Sequence, residues 1–530
     1  MLLNKKFIIV LIMLALPMIA RGYSNKAYLQ PRTEAVNAPL KYTTFYEMVD
    51  QARLCGSYKD EKSTIKPFWG GTFQLVPFYQ ESEHSSRTGQ YFGLHGKNQL
   101  RVRTTAFDAI TNVHPNTTIK GIMNDIDFAY LVHSATMQPD NVTMLEQTYL
   151  SVAFQPKQTV YGGTISYYQL FDRVIKNLFV FAHVPVVRQE REAHASVTAI
   201  SLDAEEKVIY ANAMASFFAG TLEGPAVLEG DEAVSRGQVK MTNVKFAGKK
   251  LTSDGFSDID CGFGYLLFNK PTFQLSLALG LTVPICDHPK GEFVFEPVRG
   301  NGGHIGFGGN LDGWVKIHEC GKQRAVLLMK NEVRYLFQSR EMRTVGIKGH
   351  EWGHYYALGK VGQAELVPAA NVLTLKNDVT PGFQYDGMFG FMYENSGWTA
   401  ELGYNLYARE QEKVRLSSVF PENTYAIAAR GHVTAVQQGA VWLPKPFVIE
   451  AATVDGGDVA GAIVNASTID TGVAQTPAQC TNGIYGSFGY IINSEPDALA
   501  IVSVGGAYEW AAKNSALEQW GVWGKLGLAF

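Results

Sequence analysis

The stretch WTAELGYNLY, residues 398–407, alternates without a break. Trp398, Ala400, Leu402, Tyr404 and Leu406 fall on one face, and Thr399, Glu401, Gly403, Asn405 and Tyr407 on the other. Successive side chains of a β-strand point to opposite faces, so the stretch reads as a strand with one apolar and one mainly polar side. The pattern recurs over 325–337, where Leu327, Met329, Val333, Tyr335 and Phe337 oppose Lys330, Glu332 and Arg334. It returns in 499–510, with Val502, Val504, Tyr508 and Trp510 against Ser503, Gly505 and Glu509. Residues 520–530 close the chain in the same way, Trp520, Val522, Leu526, Leu528 and Phe530 opposing Gly521, Lys525 and Gly527.

These runs reach about 10–13 residues, beyond the roughly 5–6 of soluble strands and close to the roughly 9–11 that a tilted strand needs to cross a bilayer. Their connections alternate between short and long. Strands at 259–268 and 273–284 are joined by Asn269-Lys270-Pro271, and a Gly/Pro-rich loop over 285–303 follows. Strands at 304–317 and 324–337 share a short link before a long excursion over 338–381. Those at 382–393 and 398–409 meet at Glu394-Asn395-Ser396-Gly397, and those at 484–492 and 499–510 turn around Ser494-Glu495-Pro496. Short turns at one rim and long loops at the other are the wiring of an antiparallel transmembrane barrel. In hydrocarbon every backbone N–H and C=O must pair within the protein, so spanning strands have to close.

The expected fold is therefore all-β, a closed antiparallel transmembrane β-barrel of roughly 12–16 strands with short periplasmic turns and long external loops. It occupies 65–530, with a first long strand at 65–80, further strands at 161–169 and 178–188, and others near 424–434, 437–452 and 459–467. Residues 203–258 show no clear period, and no fixed-length repeat is present.

Composition agrees with this reading. The chain has 530 residues, 46% apolar and 18% charged, with 30 Phe, 25 Tyr, 8 Trp, 52 Gly and a net charge of −3. That balance excludes a mainly disordered chain and a basic nucleic-acid binder. Residues 1–22 have the form of a cleaved secretory signal: Lys5 and Lys6 precede the apolar run Phe7 to Leu16, Pro17 ends it, and Ala20 and Gly22 are small residues at the −3 and −1 positions. The apolar run falls short of the roughly 20 residues of a spanning helix. Residues 23–64 are polar and read as an N-terminal periplasmic or lumenal segment. Cys55, Cys261, Cys286, Cys320 and Cys480 are scattered, odd in number and without a CxxC pair, so neither a disulfide framework nor a zinc ribbon is expected.

The signal, the meander of long alternating strands and a last strand ending in Phe530, with Leu528 and Leu526 at alternate positions before it, resemble the outer-membrane β-barrel proteins of Gram-negative bacteria. The resemblance is one of style over 65–530, and the size suits porin-like channels or channels like the fatty-acid transporter. It implies residence in the outer membrane after export. It also implies that Leu526, Leu528 and Phe530 form an assembly signal read by the barrel-assembly machinery, and that the other partners are outer-membrane lipids and small solutes. No nucleic acid and no cofactor are expected. Trp398, Tyr404, Tyr508, Trp510 and Trp520 are candidates for the aromatic girdles. The expected function is a channel, porin-like, allowing passive passage of small solutes. Its lining candidates are Lys330, Glu332, Arg334, Asp386, Glu401, Asn405 and Lys525, with Leu402 and Leu526 toward lipid. A non-transporting surface barrel, an adhesin or an envelope structural protein, would share the fold.

One motif points elsewhere. His350-Glu351-Trp352-Gly353-His354 is an H-E-x-x-H. On a helix, His350 and His354 would share a face and ligate zinc while Glu351 polarised the bound water, the chemistry of a secreted or surface metallopeptidase. Against it, Gly346, Gly349, Gly353, Gly359 and Gly362 crowd the segment, and each interior glycine costs a helix about 1 kcal/mol. Ala357 and Lys360 also stand where the extended motif has a Gly and a third His. The expectation is a polar external loop, with no catalytic residue and no metal. Gly300-Asn301-Gly302-Gly303 and Gly306-Phe307-Gly308-Gly309 lack the setting of a phosphate loop and read as turns.

Overall fold

A computed structural model describes residues 71–90, 98–104, 126–127, 148–199, 215–221, 227–229, 232–234, 239–270, 272–286, 288–349, 353–355, 357–360, 366–427, 434–438, 441–445, 463–495, 498–512 and 517–529. The expected signal, the segment 23–64, the first six residues of the strand expected at 65–80 and the terminal Phe530 lie outside them.

Twelve long strands follow one another: β1 (Gly71–Glu83), β2 (Lys157–Leu170), β3 (Leu178–Glu192), β4 (Ile259–Lys270), β5 (Phe273–Val283), β6 (Gly306–Cys320), β7 (Gln323–Leu336), β8 (Gly382–Asn395), β9 (Trp398–Arg409), β10 (Gln479–Glu495), β11 (Ala498–Ala511) and β12 (Glu518–Ala529). Each pairs antiparallel with the next, and β12 returns to β1 from Thr72↔Ala529 to Glu83↔Glu518. The sheet closes on itself as a twelve-stranded barrel, so each wall strand has a partner on both sides, as hydrocarbon demands. Links 271–272, 321–322, 396–397 and 496–497 and the slightly longer 171–177 gather at one rim, here the turn rim. Links 84–156, 193–258, 284–305, 337–381 and 410–478, with the short 512–517, gather at the other, the loop rim. The β8–β9 hairpin shows how the sequence sets a turn: Asn395 pairs with Trp398, and Ser396 and Gly397 have φ of 52° and 90°, the two left-handed positions of a type I′ turn.

The wall is uneven. Leu251–Phe256 pairs with β3 from Leu251↔Arg191 to Phe256↔Val186, and β4 takes over on the same edge from Asp260↔His183 to Tyr265↔Leu178. The register slips by one residue between them, a bulge whose cause is Pro185: Ser257 N–H donates to the Pro185 carbonyl (2.9 Å), but proline has no N–H to return. Part of the aperiodic 203–258 stretch thus carries a barrel strand upward past the loop rim. Gly306 to Gly309, expected as a turn, instead opens β6.

Faces are inverted relative to a soluble sheet. Leu402 is 66% exposed on the outer wall while its neighbour Glu401, pointing inward, is 6% exposed. Phe73, Leu75, Leu279, Leu327, Phe389, Val504 and Leu526 extend the outer apolar belt. Trp398 packs on Phe488 and Tyr490 near the turn rim, and Trp520 on Tyr79 near the loop rim, whereas Tyr404 lies halfway along β9 rather than at an end. Closure, even strand number, alternating link lengths and an apolar outer belt define a β-barrel of the Gram-negative outer-membrane type.

At the loop rim the links 337–381 and 410–478 fold together into a cap. Ser339–Thr344, Thr374–Thr380 and Lys413–Leu416 make a three-stranded sheet, and Ala357–Lys360 pairs with Leu366–Pro368 and Tyr425–Ile427. Val345, Leu358, Leu373, Val379, Val414 and Phe420 form a buried core of their own. The strands expected near 424–434, 437–452 and 459–467 are short pieces, Tyr425–Ile427, Thr434–Gln438, Val441–Lys445 and Ile463–Val464, and none belongs to the barrel.

Candidate functional site

The lumen is the natural place to look for function in a closed barrel, and β7 gives its plan. From the turn rim upward its inward residues are Arg324, Val326 and Leu328, then Lys330, Glu332 and Arg334. An apolar level thus lies beneath a charged one.

The apolar level is a ring. Phe78, Trp314, Met388, Met392, Tyr485 and Trp523, from five different strands, join Val326 and Leu328 in one buried cluster. Glycines on neighbouring strands make the room. A Cβ at Gly403 would lie 2.4 Å from the Tyr485 ring, and one at Gly505 the same distance from the Trp523 indole. Polar edges of the large rings are used: Trp314 Nε1 donates to Gln274 Oε1 (2.6 Å), and Tyr485 Oη donates to Glu401 Oε1 (3.0 Å). Lumen-facing residues of an open pore are wet, whereas these are dry, so side chains close the lumen at this level.

Above the ring sits a chamber of about 80 Å³, space for a handful of waters. His183, Asp260, Asn301, Glu332, Arg334 and Met388 are among its walls. Arg334 Nη2 reaches Asp260 Oδ2 at 3.2 Å and also donates to Glu332, while Lys330 Nζ stands 3.9 Å from the other Glu332 oxygen. Thr282 Oγ1 donates to Asp260 Oδ1 (2.6 Å), Ser166 Oγ meets His183 Nδ1 at 2.9 Å, and Asn405 Nδ2 donates to Asp386 (2.8 Å). Charges of both signs face one small volume, an arrangement that orients water and favours polar or zwitterionic groups over a single ion type.

The link 284–305 roofs this chamber. Its Asn301 forms part of the wall, and Asn301 N–H donates to Asp258 Oδ2 (2.6 Å). The buried Arg191, near the top of β3, donates to the Glu296 carbonyl (2.8 Å) and lies over the Phe295 ring. Gly300, Gly302 and Gly303 have φ of 65°, 70° and 91°, and a Cβ on each would strike Asp258, Glu341 or His288, so here the glycines do form a tight turn. Burial, with Asp258 beside it, pushes the Cys286 thiol up to about 12, which makes it a hydrogen-bond donor to Asp258 and not a nucleophile. A dry ionic network then ties the roof to the cap: His304 Nε2 to Glu341 (2.8 Å), Arg343 to Glu341 (2.6 Å) and Arg343 to Glu412 (3.4 Å). Burial pushes the Glu341 carboxyl up, but Arg343 and His304 outweigh it and hold the group below the usual carboxylate range. Burial pulls His304 down, yet the Glu341 hydrogen bond and charge leave it above the ordinary histidine value.

All seven lining candidates named from the sequence, Lys330, Glu332, Arg334, Asp386, Glu401, Asn405 and Lys525, point inward. Four of them, Lys330, Glu332, Arg334 and Asp386, meet at the chamber, while Glu401 and Lys525 belong to the level of the ring. Leu526 and Leu528 lie on the outer wall. The residues that close the lumen were missed, because alternation marks a second face without saying that it carries large apolar groups. The signal that could find them is pairing of inward aromatics with inward glycines, as in Tyr485 with Gly403.

The helix needed for zinc chemistry is absent where the motif is described. Gly353–Tyr355 is a single 3₁₀ turn, Ala357–Lys360 is a strand, and His350 and Glu351 lie outside the described residues. His354 is buried against Tyr355, which burial holds neutral, its pKa pulled down to about 3. Among the described residues no group of three His, Cys, Asp or Glu is placed to hold a metal ion.

No protein-family model matches the sequence, and no curated protein matches it. Among solved structures, an outer membrane channel from Pseudomonas putida F1 is similar over 89% of this chain and 100% of its own, at 9% identity and a TM-score of 0.35. The toluene transporter TodX of Pseudomonas putida is similar over 96% of this chain and 99% of its own, at 9% identity and 0.24. A Pseudomonas aeruginosa FadL homologue covers 87% and 89%, at 9% and 0.24. Identity and superposition are both low, and the barrel class rests on closure, wiring and the outer belt instead.

Proposed function

We propose that the protein is an outer-membrane channel for small solutes whose lumen is gated by an apolar constriction beneath a charged chamber. The observation that carries this reading is the ring containing Trp314, Met388, Tyr485 and Trp523, placed across the lumen beneath the charged groups Asp260, Lys330, Glu332 and Arg334 of the chamber. A narrow apolar segment excludes water and ions until it widens, which is gating by dewetting. The roof formed by 284–305 gives a second barrier on the loop side. Passive flow as through a wide porin is therefore not the resting behaviour proposed here, and solute entry requires the ring residues to move.

Planar-bilayer conductance of the full-length protein tests this. The wild type is expected to show small or infrequent openings, and Trp314→Ala with Trp523→Ala to raise open-state current severalfold while the heat-dependent gel shift of a folded barrel persists. Steady large currents from the wild type would overturn the gate. Silence from both proteins would overturn the channel and favour a non-transporting envelope barrel, a reading that the dry lumen also supports.

A further inference from the structure

We infer that the chamber is a binding site for a small neutral polyol, a solute of the size of glycerol, held through His183, Asn310 and Gln384. The inference rests on the channel reading for the site's place on a solute path, and deepens it by naming the solute's class. The charges at the chamber are already engaged. Arg334 donates to Glu332 through Nε (3.1 Å) and Nη2, and its Nη2 also reaches Asp260 (3.2 Å). Lys330 stands 3.9 Å from Glu332, and Asp386 accepts from Asn405 (2.8 Å). An ionic solute has to compete with these partners for its counter-charge, and parting a buried charge from its partner is costly. Three carboxylates face two cations here, so an organic cation is the strongest rival.

The unspent hydrogen-bonding groups are neutral. Gln384 is 8% exposed, and its Nε2 is buried without a hydrogen-bond partner. His183 spends Nδ1 on Ser166 (2.9 Å), and its other ring nitrogen has no partner among the described residues. The Asn310 side chain has none among them either, and all three residues line the chamber. The register sets each beside a member of the ionic trio: His183 opposite Asp260, Asn310 opposite Glu332, and Gln384 opposite Arg334. Buried polar groups need partners, and a hydroxyl, with one donor and two acceptor lone pairs, answers amides and an imidazole alike. Several hydroxyls on one short carbon chain replace the chamber's waters one for one. Gly280 makes the space, paired with Gly262 on β4 and Gly308 on β6. A Cβ there would meet only Phe181 Cζ at 3.5 Å and the Cys261 carbonyl at 3.9 Å, both ordinary contacts. Phe181 and Met388 give the solute's carbon chain an apolar surface, and the volume of about 80 Å³ keeps the solute small. Met388 belongs to the ring as well, so an occupied site touches the gate.

Saturation-transfer NMR on the full-length protein, folded in a detergent without sugar head groups, tests the site with glycerol as the probe. Propan-1-ol, glycine, glycerate and ethanolamine are the comparisons: one hydroxyl, a zwitterion, an anion and a cation. Glycerol is expected to give a saturable signal stronger than any of the four. Gln384→Met is expected to weaken glycerol binding about fivefold. Gly280→Val, which fills the chamber, is expected to abolish it while the heat-dependent gel shift persists. Equal or stronger binding of ethanolamine, glycine or glycerate would overturn the neutral class, and equal binding of propan-1-ol would overturn recognition of hydroxyls. No saturable glycerol signal would mean that the chamber holds water only, and would overturn the site. So would unchanged binding by Gln384→Met, which decides the matter alone if Gly280→Val does not fold. Liposome swelling in glycerol separates the site from the channel. Binding in detergent with no glycerol flux, even through the Trp314→Ala, Trp523→Ala protein, overturns the channel and leaves the site. Equal flux of all five solutes without glycerol binding does the reverse.

Discussion

The lumen and the loop-rim cap each bury an apolar core, but they assemble it in opposite ways. In the lumen, Val326 and Leu328 enter two residues apart on one strand, Val76 and Phe78 do the same on another, and further wall strands each add one or two inward residues to the ring. In the cap, Val345, Leu373, Val414 and Val464 come from short pieces separated by dozens of residues. Polar groups differ in the same sense. The charged side chains of the lumen surround a cavity with room for water, whereas His304, Glu341, Arg343 and Glu412 are packed against one another and join three separate links. A periodic scaffold can place charge beside empty space, because closed hydrogen bonding of the wall carries the fold. An aperiodic one has to spend its charges on holding itself together.

The sharpest way to break that comparison is Arg343→Met. It leaves Glu412 buried without its Arg343 partner and Glu341 with His304 alone, and removing one partner of a buried pair costs about 3–5 kcal/mol. Limited proteolysis should then cut within 337–381 and 410–478 while the heat-dependent gel shift stays intact. Loss of the gel shift as well would show that cap and barrel fold as one unit.

Next in size is Leu402→Arg, with Leu526→Arg as its companion. Both positions are on the outer wall, where an arginine near the midplane costs about 2–4 kcal/mol. Folding yield into liposomes should fall for both, and unchanged yield would contradict the assignment of the outer face to lipid.

The pH response of the cap is smaller. Glu341, held below its ordinary value, contributes stability that is present above about pH 4.3 and lost as pH falls through its folded value. His304, held above its ordinary value, contributes stability that is full below about pH 6.5 and lost as pH rises through its folded value. Protease protection of the cap should therefore peak between about pH 5 and 6.5 and weaken on both sides. A monotonic rise toward alkaline pH would remove His304 from the account.

The same contrast explains how much was legible in the sequence. Trp398–Arg409 was readable to the residue because a lipid-facing strand must be apolar at every second position, and its two-residue turn needs Ser396 and Gly397. The inward direction of Lys330, Glu332 and Arg334 followed from the same rule. The ring was not legible: Trp314, Met388 and Tyr485 are apolar residues on a face expected to be polar, and only three-dimensional neighbours such as Gly403 show where they fit. The cap was legible least, since its strands are short and pair across long separations, as Leu358 with Ile427 and Ile347 with Ile469. The continuation of β4 into Leu251–Phe256 depended on Pro185, more than sixty residues earlier in the chain, and no local pattern could report it.

The smallest effect bears on the inward face alone. Glu401 accepts from Tyr485 Oη (3.0 Å) and Ser487 Oγ (3.3 Å), and Lys525 lies within its electrostatic reach. Glu401→Gln keeps shape and one acceptor oxygen, so the Tyr485 ring can stay across Gly403 and folding should change by less than about 1 kcal/mol. What the substitution removes is the negative charge beside the ring, leaving Lys525 as the cation at that level. If the ring is a gate through which ions pass, cation preference measured from reversal potentials in a salt gradient should fall relative to the wild type, with folding yield in liposomes unchanged. If ions never reach this level, the reversal potential will be the same in both proteins, and the charges below the chamber then serve packing as those of the cap do.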